Sequence, residues 1–458
     1  MRDWDPARIA AASGARLLAE PRRSHAGAAG PSAVSIDSRA VGAGALFIGL
    51  PGQSRDGGAF APQAIAAGAW GALTATAHGP AAVEAAARRD DGAAVLVADD
   101  PLAALQRLAA AWRAELGALV IGITGSTGKT TTKELTRALL APHVATFASA
   151  ANLNTEIGLP LELLRAGPGT AVVVVEMGMR GPGQISQLAE IARPQVGMIV
   201  SVGPVHLELL GTIERIAAAK AELIASLAPG ATAIVPAGER LLEPHLRGDL
   251  RTITFGDGGD VRMLSRDGTR VEIDAAGARV SLEVSFHQAH LMVDLLAAVA
   301  AAIAVGVTPS GEVAYRPQPG RGGRLSLPDG ITLIDDSYNA NPVSMRAALD
   351  DLAAAAATRR VAVLGDMLEL GADEVAYHER LGQQADAAGV DVLVAVGQLA
   401  RATAERFGRE RYAVDDACQA AALVGELVSP GDVVLVKGSR AVGLERVCAA
   451  LRGREEPA

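Results

Sequence analysis

Ala118-Leu119-Val120-Ile121-Gly122-Ile123-Thr124-Gly125-Ser126-Thr127-Gly128-Lys129-Thr130 reads as an apolar strand that breaks into a glycine-rich turn, and the stretch from Thr130 to Leu140 then carries helical periodicity. Strand, turn and helix in that order form the setting of a phosphate-binding loop. Glycines let backbone N–H groups converge on phosphate oxygens at a helix N-terminus. Lys129 offers a point charge to the β/γ-phosphates, and the Thr130 hydroxyl can hold Mg²⁺. The spacing departs from strict Gly-x-x-x-x-Gly-Lys-Ser/Thr, which wants glycine at Ile123; the glycines fall at 122, 125 and 128. A chance Gly/Thr-rich loop does not explain strand, Gly-Lys-Thr and helix in register. Nucleotide binding follows, but the loop alone does not name a reaction.

Outward from this stretch the chain keeps an α/β rhythm. Ala171–Val175 and Val196–Val202 are continuous apolar runs, as expected of parallel strands covered by helices on both faces. Residues 251–286 instead predict a small antiparallel patch turning at Asp257-Gly258 and Asp267-Gly268, and a helix from about His290 to Val305 follows. Upstream, Ala45–Leu50 and Ala93–Ala98 read as strands and Phe60–Gly68 as a short helix. Pro101–Leu116 reads as an amphipathic helix with Leu102, Leu105, Leu108 and Trp112 near one face. Downstream, the Pro/Gly/Arg-rich segment Tyr315–Gly323 reads as a hinge. Beyond it, strands are expected at Ile331–Ile334, Val361–Leu364, Val390–Val396 and Asp432–Val436, with helices between. The fold class is therefore α/β in three domains. A small α/β domain spans 1–114. A central domain, 115–313, has a P-loop-type, mostly parallel sheet with helices on both faces. A Rossmann-like domain spans 314–458.

The 458 residues agree with three domains at ~150 residues each. Half the chain is apolar yet only 3% is aromatic, so the cores must be built from alanine and branched aliphatics. The net charge of −9 argues against nonspecific nucleic-acid binding, which needs clustered Lys and Arg. Cys418 and Cys448 are too few for a disulfide framework or a thiolate metal site. Met1-Arg2-Asp3-Trp4-Asp5 shows acids and no apolar run, so no secretory signal is expected. The longest apolar run, Leu295–Val307, falls short of the ~20 residues of a membrane span. A cytoplasmic protein is expected.

Several side chains stand out against this background. Glu176 ends an apolar strand, where a carboxylate faces the ligand crevice of an open sheet and can hold Mg²⁺; its apolar flank Met177-Gly178-Met179 favours this over a solvated loop glutamate. His206 also follows a strand end, and packing and functional roles are equally open to it. Lys220 lies on the apolar stripe Ile213, Ile216, Leu223, Ile224, Leu227. It either snorkels to solvent, or it contacts phosphate or carries CO₂ as a metal-ligating carbamate. Asp335-Asp336-Ser337-Tyr338-Asn339-Ala340-Asn341-Pro342 makes a poor core and a good loop-borne site. Turn chemistry explains its Ser, Asn and Pro, but less well its Tyr and paired Asp.

Together these pieces resemble the Mur ligases of peptidoglycan synthesis across nearly the whole chain. Thr124, Gly125, Ser126, Thr127, Gly128, Lys129, Thr130 and Thr131 resemble the family's variant of the phosphate loop, which accounts for the altered spacing. Ser38 and Arg39, with Phe47 and Asp56-Gly57, are similar to the segment that holds the UDP end of the substrate. Asn152, Asn154 and Thr155 resemble the Asn/Thr segment after the phosphate loop. The Asp335–Pro342 loop is similar to that of the branch that adds D-alanyl-D-alanine. Leu364-Gly365-Asp366-Met367-Leu368-Glu369-Leu370-Gly371 with His378, and Val436-Lys437-Gly438-Ser439-Arg440, resemble the same branch. Gly58 stands where the family has His after Asp-Gly. Leu291 and Asp294 replace its usual asparagines after His290.

The resemblance implies an ATP-driven ligase joining D-Ala-D-Ala to UDP-MurNAc-tripeptide through an acyl phosphate. Lys129, Glu176, His206 and Lys220 would be its catalytic residues. One Mg²⁺ would use Thr130 and Glu176, and a second would use His206 and carbamylated Lys220. ATP would also meet His290, Asp294, Arg321 (favoured over Arg324 by its spacing to the next loop) and Asp335. Substrate would meet Ser38, Arg39, Asn152, Asn154, Thr155, Tyr338, Asn339 and Asn341. A monomer without nucleic-acid or membrane partners is expected. The alternatives are a sister Mur ligase or folylpolyglutamate synthase, a P-loop kinase or regulatory NTPase, and a non-catalytic nucleotide-binding module.

Overall fold

The apolar run that ends at the glycine-rich turn forms the strand Leu119–Thr124, and its burial on both faces is the reason it is apolar throughout. The computed structural model describes residues 1–22, 30–52, 55–150 and 153–453. Leu119–Thr124 lies between Val172–Glu176 and Val196–Ile199, parallel to both. All three chains therefore leave the sheet at the same edge. The expected strand to Val202 stops at Ile199; the chain then leaves the sheet and carries Ser201 and His206 over that edge.

Among the described residues this sheet has ten strands. The antiparallel patch is part of it rather than a separate sheet. Val261–Asp267, Arg270–Ala275 and Ala278–Val284 form an antiparallel meander that joins the parallel portion through Arg251–Phe255 and Thr232–Pro236. Gly268, at φ 57°, makes the expected tight turn after Asp267. Asp257-Gly258 does not make a hairpin, because the strands on either side of it meet in a parallel bridge, Phe255 with Val261.

Two smaller sheets flank the large one. The five-stranded sheet runs, from edge to edge, Arg16–Ala19, Ala94–Ala98, Gly71–Ala75, Ala45–Ile48 and Ala33–Ser35, with only the first strand antiparallel. The six-stranded sheet runs Gly323–Ser326, Thr332–Asp336, Asp432–Lys437, Arg359–Gly365, Val392–Val396 and Glu410–Val414, again with the first antiparallel. Short edge strands such as Gly323–Ser326 and Glu410–Val414 are half-polar, which hides them from a search for apolar runs.

Helix ends follow local chemistry. Asp100 accepts hydrogen bonds from the backbone of Leu102 and Ala103 and opens the helix Pro101–Leu116, which stops at left-handed Gly117. That helix covers both of its neighbours. Leu105, Leu108 and Trp112 share one apolar interior with Leu46 and Leu96 of the first sheet, with Val120 and Val175 of the second, and with Leu163 of the helix Gly158–Arg165. The helices Lys129–Leu140 and Ala289–Ala304 pack against each other, and Ala297–Ala302 are all fully buried. Small side chains at such a contact let helix and sheet approach closely, which is where much of the alanine in this chain is spent. No described helix is long and apolar enough to cross a membrane.

Trp112 is the keystone of the shared interior. Its Nε1 donates to the Ala166 carbonyl at 2.9 Å, and its ring meets Trp4 edge-on at 5.5 Å. Trp112→Phe keeps the ring contact but leaves that buried carbonyl unmet, at a cost of about 1–3 kcal/mol. A thermal melt is expected to show a lower midpoint, and an unchanged midpoint would contradict this assignment.

Candidate active site

The site is built at the carboxyl edge of the central parallel strands, where open α/β sheets bind ligands. The phosphate loop is pinned to the next chain along the sheet. Ser126 Oγ donates to the Gly203 carbonyl at 3.0 Å and accepts from its N–H at 2.9 Å, and the Thr127 N–H donates to Ser201 Oγ at 2.9 Å. Gly128 caps the following helix at φ 79°, and a Cβ there would come within 2.4 Å of Asp294 Oδ1. Both backbone and space therefore require glycine. Lys129 Nζ donates to the Gly125 carbonyl at 2.8 Å, so its ammonium curls back over the loop. Burial lowers its pKa, partly offset by Glu176, while Arg321 pushes the same way as burial.

Glu176 is buried with both oxygens engaged. Thr130 Oγ1 donates to Oε2 at 2.8 Å and Asn154 Nδ2 donates to Oε1 at 2.7 Å. The structure thus joins three residues that are scattered in sequence. Lys220 is 2% exposed on the helix Ile213–Ala225, so snorkelling is excluded. No hydrogen bond or ion pair joins its amine to another described residue. Burial, then the charge of Lys129, drives its pKa well below the ordinary lysine value, toward the neutral amine. His206 sits at φ 54° with Nδ1 on Glu369, whose other oxygen meets Arg180. Burial lowers the His206 pKa, opposed by Glu369 and reinforced by Lys220 and Lys129.

The third sheet closes the other side. A cavity of about 1210 Å³ is lined jointly by the phosphate loop, Asn154, Thr155, Glu176, His206, His290, Asp294 and Arg321, and by Asp336, Tyr338, Asn339, Asn341, Glu369, Lys437 and Arg440. The Arg321 guanidinium lies 4.0 Å from the centre of the Tyr338 ring, with that of Arg440 at 5.6 Å. Lys437 Nζ reaches Asp336 Oδ2 at 2.7 Å and the Asn339 carbonyl at 2.9 Å. Burial raises the Asp336 pKa, with Lys437 opposing. Asn341 lines the cavity and also caps the helix Pro342–Ala354, accepting from the Ser344 N–H at 2.9 Å.

Some expected residues lie elsewhere. Asp335 does not line the cavity; it bonds to Arg452 and to Ser337 Oγ, and Asp336 takes the cavity side. Successive strand residues point to opposite faces, so only one of two adjacent aspartates can serve. Arg324 lines the cavity too, but it is tied to Asp351 at 2.7 Å, while Arg321 stacks on Tyr338. Ser38 and Arg39 do not line this cavity, and Arg39 pairs with Asp37 at 2.9 Å. A second cavity of about 490 Å³ lies beside Ala33–Asp37, against Leu161, Glu162 and Arg165. Asn152 lies outside the described residues. Gly58 has a neighbour the sequence did not suggest. The His78 ring, bonded to Asp56 at 2.7 Å, fills the space within 2.3 Å of where a Cβ at 58 would be. His378 is wholly buried, accepting from the Met367 N–H and donating to the Glu374 carbonyl, so it shapes the loop before it and lines nothing.

Comparisons with known proteins agree with this arrangement. Residues 32–113 match the model of the Mur ligase family catalytic domain, 123–302 that of the Mur ligase middle domain and 320–440 that of the Mur ligase glutamate ligase domain. The chain is 37% identical over 430 residues to the UDP-N-acetylmuramoyl-tripeptide–D-alanyl-D-alanine ligase of Synechocystis, covering 91% of each. Among solved structures it resembles MurF from Acinetobacter baumannii (TM-score 0.84, 29% identity, 98% of this chain and 99% of that one). It also resembles the MurF ligase of Thermotoga maritima in complex with ADP (TM-score 0.78, 28% identity, 92% and 97%).

Burial beneath the phosphate loop raises the Asp294 pKa from an ordinary 3.8 to about 8. Such an aspartate binds its proton in the fold and releases it on unfolding, so it subtracts stability progressively from about pH 4 to about pH 8. Asp294→Asn is therefore expected to raise the melting midpoint relative to the parent by a margin that widens over that window. A margin independent of pH would contradict the burial assigned to Asp294.

Proposed function

This chain belongs to the Mur ligase family, and from that premise we propose that it joins D-alanyl-D-alanine to UDP-N-acetylmuramoyl-tripeptide, driven by ATP. The observation that carries the proposal is the single cavity shared by the phosphate loop and the Asp336–Asn341 loop. Phosphoryl transfer asks little covalent chemistry of a protein; it needs positioning and neutralised charge. The backbone of residues 125–128 and Lys129 would cradle the ATP phosphates. The tripeptide carboxylate attacks the γ-phosphorus, ADP leaves, and an acyl phosphate forms. The dipeptide amine then attacks the acyl carbon, and phosphate departs with the amide bond made. Lys437, Arg440 and Arg321 line this cavity and would meet the carboxylate of the dipeptide. Walls closed around the acyl phosphate would keep water from it. On this reading the reaction would run in the cytoplasm, carried out by a monomer.

The residues present fit Mg²⁺. One buried carboxylate beside a hydroxyl at a phosphate loop suits an ion that completes its shell with phosphate oxygens and water. Thr130 and Glu176 would hold one Mg²⁺, and His206 with Lys220 a second. Bound there, Mg²⁺ would offset the repulsion between carboxylate and polyphosphate. Lys220 suits that role only as a carbamate. Its neutral amine attacks CO₂, the C–N bond forms, one proton leaves, and a cation is replaced by an anionic oxygen donor. A buried, unpaired amine of lowered basicity supports this reading.

Phosphate release from ATP is expected to require both UDP-MurNAc-tripeptide and D-Ala-D-Ala, with L-Ala-L-Ala inert. Turnover indifferent to the dipeptide would point to a sister ligase or a plain NTPase. Lys220→Ala is expected to abolish ligation. A short-chain carboxylic acid should restore part of it, and bicarbonate should not; full activity in the unsupplemented variant would remove the carbamate from the account.

A further inference from the structure

Two of the four non-glycine residues with positive φ among the described residues, His206 at 54° and Glu369 at 64°, meet side chain to side chain. Strained backbone of this kind costs of order 1–3 kcal/mol per residue and persists where the surroundings impose it. The two residues come from different sheets. His206 stands on the chain leaving Val196–Ile199 of the central sheet, and Glu369 on the loop leaving Arg359–Gly365 of the third. The joint is reinforced beyond the side chains. The Glu208 N–H donates to the Glu369 carbonyl at 3.2 Å, and Arg180, also from the central unit, holds the other carboxylate oxygen. A surface ion pair would not need two left-handed residues and a backbone bond to make it.

We propose that Glu369 is a positioning residue for His206, supplied by the third domain, so that the His206 metal site is complete only when that domain is docked. A carboxylate can only accept, so Nδ1 carries the proton and Nε2 presents its lone pair. Metal-bound histidines are held in this way, by a carboxylate on the ring nitrogen that does not touch the metal. Glu369 lines the same cavity as His206 and Glu176 without being near the phosphate loop in sequence. Docking of the third domain thereby does two things at once: it brings the Asp336–Asn341 loop into the cavity and it fixes a ring that lines the same cavity as the phosphate loop. The inference rests on the reading of His206 as a metal ligand.

The test uses the full chain with ADP and Mn²⁺ as the probe metal, following free Mn²⁺ by electron paramagnetic resonance. Glu369→Ala, Glu369→Gln, His206→Ala and the Glu369→Ala/His206→Ala double variant are compared with the parent; Glu369→Gln preserves volume should the alanine variant fold poorly. Loss of such a partner weakens metal binding about 10–100-fold. Both Glu369 variants are expected to weaken the more loosely held Mn²⁺ at least tenfold, and the double variant to be no worse than His206→Ala alone. Three results would overturn the proposal. Mn²⁺ affinity within twofold of the parent in Glu369→Gln would remove the positioning role. Penalties that multiply in the double variant would make Glu369 a domain tether independent of the ring. Unchanged binding in His206→Ala would remove the ligand assignment itself, a failure distinguishable from the first two because it appears without any change at 369.

Discussion

Ile123 pairs opposite Glu176 in adjacent parallel strands, and the rest of the site depends on that register. Because both strands run the same way, the loop after Thr124 and the carboxylate at the end of the neighbouring strand arrive at one edge. The Thr130–Glu176 hydrogen bond then ties the start of the helix to the carboxylate, and Asn154 holds the carboxylate's other oxygen. A one-residue slip would turn Glu176 to the opposite face of the sheet. The continuous valine run Val172–Val175, buried on both faces, fixes the depth of the strand and so protects the register.

The cavity sets cations among acids. Lys129, Arg180, Arg321, Arg324, Lys437 and Arg440 line it together with Glu156, Glu176, Asp294, Asp336, Asp351 and Glu369. Burial, and then the charge of Lys129, both work against an ammonium at Lys220. The proposed carbamate would remove that cost and supply an oxygen ligand, so one buried amine would bear on both stability and catalysis.

Much of this was legible in the sequence, for reasons that differ by element. Strands buried on both faces write themselves as apolar runs, and Leu119–Thr124, Val172–Glu176 and Asp432–Lys437 were readable on that ground. Edge strands such as Thr146–Ala148 and Gly323–Ser326 are short and half-exposed, and they leave no such mark. Within the site, residues at strand ends were accessible because their position has a mechanism. The choice between Asp335 and Asp336 was not, since it depends on which face of the strand meets the cavity. The contacts between sheets were also out of reach. Nothing local marks Glu369 as the partner of His206, 163 positions earlier, or His78 as the ring beside Gly58. Such pairs are created by docking and carry no periodicity to read.

The central claim is that ATP is used to activate a carboxylate rather than to phosphorylate water or an alcohol. The most direct measurement supplies UDP-MurNAc-tripeptide labelled with heavy oxygen in its terminal carboxylate, with ATP, Mg²⁺ and D-Ala-D-Ala, and follows the label in inorganic phosphate by mass spectrometry. An acyl phosphate passes one carboxylate oxygen to each phosphate released, so the account predicts one labelled oxygen per phosphate and per amide formed. Unlabelled phosphate alongside ADP would contradict it, because the γ-phosphate would then have gone to solvent.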